Sequence, residues 1–167
     1  HGNLSNATIW HDKNKAVLVS SQKAQAGFQV IDTETWQLIK TIDSAGVGNL
    51  VRSHPQSAFA FATLDFPATN RGSELLIIDK KTITALRQIK LNSGKTIDDM
   101  AFSQNGKFII LKTTSLKSTM PKTAIAKITR LKEEDTDTQE LLFIDSSTLD
   151  EVKKIVLVPG LKSPKKQ

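Results

Sequence analysis

The chain has 167 residues, of which 38% are hydrophobic and 24% charged, with a net charge of +6 and no cysteine. This is the composition of a globular domain, and the lack of cysteine excludes disulfides, thiolate nucleophiles, zinc fingers and the CxxCH attachment of a c-type haem from this stretch. No apolar run reaches the roughly 18 residues of a membrane span. Aromatic residues make up only 5% and the basic residues are spread out, so we expect no nucleic-acid partner.

Three segments repeat one pattern of apolar residues, an Ile-Asp pair, a polar turn with Thr and an alternating run. They are QVIDTETWQLIKTI (29–42), LIIDKKTITALRQI (76–89) and LFIDSSTLDEVKKI (142–155). Each segment predicts a hairpin whose tight turn begins at Asp32, Asp79 or Asp145, because an aspartate there can accept hydrogen bonds from nearby backbone amides. The period-two alternation excludes helical repeats.

A second predicted hairpin precedes each of the first set, at ATIWHDKNKAVLVSS (7–21), LVRSHPQSAFAFAT (50–63) and MAFSQNGKFIILKT (100–113). In the last of these, the dipeptide Asn105-Gly106 favours a type I′ turn. Units of four strands at spacings of roughly 40 to 50 residues are typical of propeller blades. We therefore predict an all-β fold of about three four-stranded antiparallel blades of a β-propeller, over about 1–45, 46–94 and 95–160, with a tail at 161–167.

The predicted core consists of apolar residues in these strands: Val17, Val19, Val30, Ile31, Phe59, Phe61, Ile77, Ile78, Ala101, Phe102, Ile109, Ile110, Phe143 and Ile144. A polar insertion, 113–139, joins the second and third strands of the last blade. Its first part is basic and its end acidic, which predicts a solvated excursion whose ends attract each other. The alternative is a docking surface for a redox or biosynthetic partner. Because propellers close with four to eight blades, we expect the remaining blades N-terminal to His1.

Several segments follow one another in an order that resembles a known family. They are the opening HGNLSNATIW, the strand AVLVSSQ, the stretch GVGNLVRSHPQSAFAFATLDFPATNRGSELLIIDKKT and the ending ELLFIDSSTLDEVKKIVLVPGLKSP. This order resembles the C-terminal part of the haem d1 propeller of cytochrome cd1 nitrite reductase and its relatives in haem d1 maturation. The residues at the positions of that pattern are Gly46, Gly48, His54, Pro55, Phe66, Pro67 and Asn70. The resemblance covers nearly the whole chain except the insertion.

The resemblance implies an eight-bladed parent propeller in a bacterial periplasm, with haem d1 across its central channel and a c-type cytochrome as electron donor. It places the iron ligand and the arginines that hold the haem carboxylates upstream of this chain. By position, His1 matches the first of two distal histidines and is the candidate catalytic and cofactor-binding residue. Gln22 stands at the second position, as a cofactor-binding residue. A carboxamide can hydrogen-bond but cannot shuttle protons as an imidazole does.

The leading hypothesis is a haem d1-binding propeller fragment of a nitrite reductase-like, NO-forming periplasmic oxidoreductase, inactive as a fragment. The alternatives are a haem d1 maturation or carrier protein without turnover, which Gln22 favours, and a cofactor-free propeller that serves as a binding scaffold. No cluster of metal ligands is expected. We interpret His11 and His54 as residues of equivalent blade-corner turns that cap turn amides. One member of the Asp98-Asp99 pair is also expected to cap a turn.

Overall fold

The computed structural model describes residues 6–12, 15–22, 25–66, 72–91, 94–115 and 138–157. Within these ranges the chain forms eleven β-strands. They are β1 (Ala7–Asp12), β2 (Lys15–Ser21), β3 (Ala26–Asp32), β4 (Leu38–Ser53), β5 (Phe59–Asp65), β6 (Glu74–Asp79), β7 (Thr84–Lys90), β8 (Lys95–Phe102), β9 (Phe108–Ser115), β10 (Gln139–Asp145) and β11 (Glu151–Leu157). No helix in these ranges is long and apolar enough to cross a membrane.

The strands form two antiparallel sheets, one of β1 to β7 in chain order and one of β8 to β11. The long strand β4 links two four-stranded units, because its first half pairs with β3 at Phe28–Ile42 and its second half pairs with β5 at Val51–Ala62. The boundary predicted at 45/46 lies inside this strand. The first strands of neighbouring units contact one another, β1 with β4 and β4 with β8, as the inner strands of a propeller do. The predicted all-β fold of antiparallel blades is confirmed.

The middle blade is buried on both faces because its side chains alternate between two neighbours. Ala60 and Ala62 pack into the core shared with the first blade. Phe61 and Ile77 pack into the core shared with the third blade. Most of the predicted core is buried accordingly, but some of it is not. Ala101 is exposed, and Ile31, Phe59, Phe102, Ile110 and Phe143 are only half-buried.

The three aspartate turns have the predicted geometry. The carboxylate of Asp32 accepts hydrogen bonds from the amides of Glu34 and Thr35 at 2.8 and 3.0 Å. Asp79 accepts one from the amide of Thr82 at 2.8 Å, and Asp145 accepts those of Ser147 and Thr148 at 2.9 and 3.1 Å. Hydrogen bonding to the ionised carboxylate lowers the pKa of Asp32, Asp79 and Asp145 below the usual value for aspartate.

A large apolar residue ends each of these turns in a left-handed conformation. Trp36, Ile83 and Leu149 have φ angles of 58°, 54° and 67°. Each donates its amide to the carbonyl of the turn aspartate four residues earlier, at 2.8 to 2.9 Å. Residues other than Gly, Asn and Asp are uncommon in the left-handed region of backbone conformation. The constant spacing of four residues after each aspartate makes this conformation a structural signature of the repeat.

The hairpin turns between the first and second strands differ from the predictions. His54 does cap its turn, since its Nδ1 accepts the amide of Gln56 at 3.2 Å. His11, however, lies within β1 and pairs with Ala16. Asp98 and Asp99 both lie in β8 and not in a turn. The type I′ prediction at Asn105 is also wrong.

At that turn only Gly106 has a positive φ, 66°. Its amide donates to the Ser103 carbonyl at 2.8 Å. The side chain of Asn105 accepts the Lys107 amide at 3.2 Å, and this local bond favours a negative φ at Asn105 where a type I′ turn needs a positive one. A Cβ at position 106 would lie 2.2 Å from Nδ1 of His54, so the packing against the middle blade also requires glycine.

Because the strands alternate in direction, the blades have two distinct ends. We call the end that carries the aspartate turns and the turns 12–15, 53–59 and 102–108 the turn rim. The opposite end, the loop rim, carries residues 43–46 and the described residues that flank the other connections, namely 22, 25, 66, 72–73, 91, 94, 115 and 138. Of the insertion predicted at 113–139, residues 113–115, 138 and 139 are described and lie at the loop-rim ends of β9 and β10, and the rest lies outside the described residues.

Candidate functional site

Of the two residues predicted to bind a cofactor, Gln22 lies within the described residues, and it belongs to the loop rim. His1 lies outside the described residues. Gln22 follows the last residue of β2, is half-buried, and donates its backbone amide to the carbonyl of Gly27 at 3.3 Å. That bond closes the connection from β2 to β3 and fixes the backbone at Gln22.

Two glycines bring the crossover from the first to the middle blade close to this rim. A Cβ on Gly48 would lie 2.5 Å from the ring of Phe28 and 3.0 Å from Cβ of Ser21. A Cβ on Gly46 would lie 2.8 Å from the carbonyl oxygen of Asp65. Only glycine permits these approaches. The Gly-Val-Gly stretch therefore allows β4 to pass directly beside the residue that precedes Gln22.

The inner strands of the middle and third blades bulge at equivalent positions. The register shifts between Gly48 and Val51 in β4, and between Ile97 and Asp99 in β8. A bulge bends its strand and changes the direction of a side chain. The bulge of β4 leaves Asn49 exposed, and the bulge of β8 leaves Asp98 exposed together with the adjacent Asp99.

Both bulge residues are held by hydrogen bonds. Nδ2 of Asn49 donates to Oδ2 of Asp65 at 3.0 Å. Oδ2 of Asp98 accepts the hydroxyl of Thr114 at 2.5 Å, and Oδ1 accepts that of Thr96 at 3.1 Å. The side chains are thus oriented in advance, which lowers the entropic cost of holding a ligand.

A polar network joins these bulges across the boundary between two blades. The hydroxyl of Ser73 donates to Oδ1 of Asp65 at 2.7 Å and accepts the amide of Ile97 at 3.1 Å. The amide of Ser73 donates to the carbonyl of Lys95 at 2.7 Å. Asp65 therefore contacts both Asn49 of one inner strand and, through Ser73, the other inner strand, so hydrogen bonds connect the two inner strands at the loop rim.

Two buried hydroxyl groups near this rim have no hydrogen-bond partner among the described residues, those of Ser21 and Thr113. Ser21 directly precedes Gln22, and Thr113 pairs with Ile97 beside the bulge of β8. A buried, unpaired hydroxyl costs free energy. Within the described ranges no group of three histidine, cysteine or acidic residues could hold a metal ion. The hydroxyl groups of Ser21 and Thr113 can hydrogen-bond a ligand.

The fold and this rim define an arc of a β-propeller whose inner strands present oriented amide, hydroxyl and carboxylate groups at one end. Family comparison gives the particular group: the chain belongs to the Cytochrome D1 heme domain family, whose model matches residues 3–165. The resemblance found in the sequence is thereby confirmed.

The relatives are longer than this chain. Dihydro-heme d1 dehydrogenase of Pseudomonas aeruginosa is 26% identical over 108 residues, which make up 65% of this chain and 22% of that protein. The structure of dihydro-heme d1 dehydrogenase NirN in complex with DHE matches with a TM-score of 0.69 at 21% identity, over 92% of this chain and 28% of that one. Hydrazine synthase of Kuenenia stuttgartiensis matches with a TM-score of 0.65 at 16% identity, over 87% of this chain and 39% of that one. At these identities the solved structures show the fold alone.

The bulges are the part of the site that sequence reasoning missed. A signal exists in hindsight, since Asn49 and Asp98 each stand five residues before the first residue of the following hairpin turn, His54 and Ser103. The apolar alternation continues on both sides of each bulge with its phase changed. An alignment of the two inner strands on the turns that follow them, instead of on their apolar residues, places Asn49 and Asp98 at the same position.

Proposed function

We propose that the loop rim of this chain forms part of the binding site for haem d1 or its precursor in a periplasmic protein. The family supports this proposal, and so does the relative whose solved structure holds DHE. The observation that carries it is the pair of inner-strand bulges, which place Asn49 and Asp98 at the same rim as Gln22. When bound, haem d1 supplies redox chemistry at its iron, and the protein supplies orientation and hydrogen bonds.

The donor set fits the periphery of such a group. The carboxamides of Gln22 and Asn49 and the hydroxyl of Ser21, which has no partner among the described residues, can donate to carboxylates of a tetrapyrrole. No histidine or cysteine of the described residues lies at this rim, in keeping with our proposal that the iron ligand comes from another part of the protein. His1 remains our candidate for a distal proton donor.

Two forms of this proposal differ in the step after binding. A nitrite reductase-like oxidoreductase would need proton delivery at the distal face and a c-type cytochrome as electron donor. A maturation or carrier protein would need only to hold the group. Gln22 favours the second form, because its carboxamide cannot transfer a proton.

We further propose that the rest of a propeller is the partner of this arc. In the middle blade, Ile83 packs into the core shared with the first blade. In the third blade, the equivalent Leu149 packs against the core shared with the middle blade. Trp36 occupies the same position in the first blade and is 71% exposed. Since the equivalent residue of each later blade packs against the blade before it, we infer that a preceding blade covers Trp36. The chain spans only a small share of its relatives, which agrees with this inference.

Haem d1 uptake tests the proposed site. In the full-length protein, Gln22→Ala should weaken retention of haem d1 several-fold, measured by absorbance after removal of free cofactor. Gln29→Ala, an exposed glutamine on β3, is the matched control and should leave it unchanged. Failure of the unmodified full-length protein to bind haem d1 would favour the cofactor-free scaffold instead.

Turnover separates the two forms. His1→Ala should lower nitrite reduction while leaving haem d1 uptake intact if the protein is a reductase. Gln22→His restores a group that titrates near pH 6.5 and should raise nitrite turnover if only proton delivery is missing. A loaded protein that reduces no nitrite in either background would leave the maturation or carrier function.

A further inference from the structure

The turn rim contains one departure from the repeat. The residue after each turn aspartate ties its turn to the neighbouring hairpin turn of the same blade. Thr33 does so with its hydroxyl, which donates to the carbonyl of Ala16 at 2.9 Å. Ser146 does so with its hydroxyl, which donates to the carbonyl of Gly106 at 2.6 Å. In the middle blade this residue is Lys80.

Lys80 makes the same tie with an ammonium group. Its Nζ donates to the carbonyl of Ser57 at 2.8 Å and to that of His54 at 3.0 Å. Two of its three N–H donors are thereby used. Partial burial of the charged group lowers the pKa of Lys80, and no acidic side chain of the described ranges lies within 4.0 Å of its Nζ. A hydroxyl suffices for the tie in the other blades, so the positive charge is an additional property of this one.

The charge borders a cavity of about 170 Å³ between β1 of the first blade and the β4–β5 turn of the middle blade. Among the described residues, its lining consists of Ile9, Trp10, His11, Ser53, Pro55 and Lys80. It lies at the turn rim, at the opposite end of the blades from Gln22. It is therefore separate from the haem-related site proposed above and does not depend on it.

Trp10 supplies a second, independent observation. Its side chain is only 4% exposed, and its indole Nε1 has no hydrogen-bond partner within the part of the chain that the structure describes. An indole N–H can only donate, and a buried donor without an acceptor is costly. The residues that line the cavity thus include Trp10 with its unused indole N–H, Lys80 with its ammonium group and Ser53 with its hydroxyl, and none of the described lining residues is acidic.

We propose that this cavity binds a small oxyanion, a carboxylate or a phosphate, which accepts hydrogen bonds from Nε1 of Trp10 and Nζ of Lys80. A bond from an ammonium group to an anion is about twice as strong as a neutral one. The anion satisfies the indole donor and compensates the charge of Lys80. Because it bridges the inner strand of one blade and the turn of the next, its binding also joins the two blades.

Tryptophan fluorescence tests this directly, because the chain has two tryptophans, Trp10 and Trp36. In the 167-residue chain, Trp36→Phe leaves Trp10 as the single tryptophan. Sodium phosphate and sodium acetate are titrated separately in dilute protein, with ionic strength held constant by sodium chloride. We expect a saturable change in Trp10 emission with at least one of them, and the stronger response identifies the oxyanion as tetrahedral or planar.

Three variants assign the response to the site. Lys80→Thr supplies the residue that the first blade uses, so it keeps the tie between the turns, and it should weaken binding about tenfold or more. Lys80→Met tests the charge without a hydroxyl and should weaken binding similarly. Lys81→Met removes a neighbouring exposed charge and should leave binding unchanged. A response that follows ionic strength alone, or that is equal in Lys80→Thr and the parent, overturns the proposal.

Discussion

The turn rim and the loop rim are built from the same eleven strands but on opposite principles. The turn rim uses one arrangement three times, an aspartate that caps its turn and an apolar residue in a left-handed conformation four residues on. At the loop rim the connection between the second and third strands differs in length in every blade, and glycine crossovers, bulges and polar networks replace the repeated turn. The repeated turns of the turn rim stabilise each blade, whereas the varied connections of the loop rim can form a ligand site.

The largest expected effect tests whether the three turns are equivalent. Ile83→Gly and Trp36→Gly both remove the steric strain of a side chain on a left-handed backbone, and both increase the conformational entropy of the unfolded chain. They differ in packing, because Ile83 is 9% exposed and Trp36 is 71% exposed. We expect Ile83→Gly to be less stable than Trp36→Gly by about 2–4 kcal/mol, measured by chemical denaturation.

Ile83→Gly and Trp36→Gly also test the proposal that a preceding blade covers Trp36. In the isolated chain, Trp36→Gly should leave the unfolding free energy unchanged or slightly higher. In the full-length protein, where a blade would cover Trp36, the same variant should destabilise as Ile83→Gly does. Equal behaviour of Trp36→Gly in both contexts would show that its face stays uncovered.

The next effect concerns the loop rim. Gly48→Ala places a methyl group where the ring of Phe28 lies 2.5 Å away, so the crossover must shift. We expect a loss of about 1–3 kcal/mol in unfolding free energy, with weaker haem d1 uptake because Asn49 follows directly. Ala45→Val adds more bulk at an exposed position of the same crossover and serves as the control. A fully stable Gly48→Ala would mean that the crossover tolerates a Cβ and that its glycine has another cause.

The two rims also differ in how well the sequence predicts them. The blades and the turns at Asp32, Asp79 and Asp145 were predictable because alternation and turn chemistry are local. The left-handed conformation of Ile83 was not predictable, because a positive φ is normally indicated by glycine or asparagine. Here the backbone hydrogen bond to Asp79 and the burial of the side chain impose it. Asn49 and the continuous strand β4 were hidden because a bulge and a crossover depend on how neighbouring strands pair.

A smaller effect should appear on acidification. The pKa of each turn aspartate is lowered in the folded state, so the unfolded chain binds more protons as pH falls. The stabilisation is complete above the unfolded pKa, about 3.9, and is lost as pH falls through the folded values. The melting temperature should therefore decrease below about pH 4, and Asp79→Asn, which keeps an acceptor without a charge, should flatten that decrease. Glu151→Gln controls for loss of charge alone, and an equal flattening by it would contradict the assignment to the turns.

The smallest effect on stability should accompany a large effect on binding, at Asn49. Asn49→Ala removes an exposed hydrogen bond to Asp65, which should change the unfolding free energy by about 0.5 kcal/mol or less. It also removes a carboxamide that the bulge of β4 leaves exposed at the loop rim, so haem d1 uptake by the full-length protein should fall several-fold. Asp79→Ala should do the reverse, because the carboxylate of Asp79 lies at the turn rim and caps a turn. We expect it to lower the melting temperature while the remaining folded protein takes up haem d1 normally. If both variants lose binding only in proportion to their loss of stability, the carboxamide of Asn49 does not hold the ligand. If Asn49→Ala alone loses binding, the loop rim holds the ligand and the turn rim holds the blade.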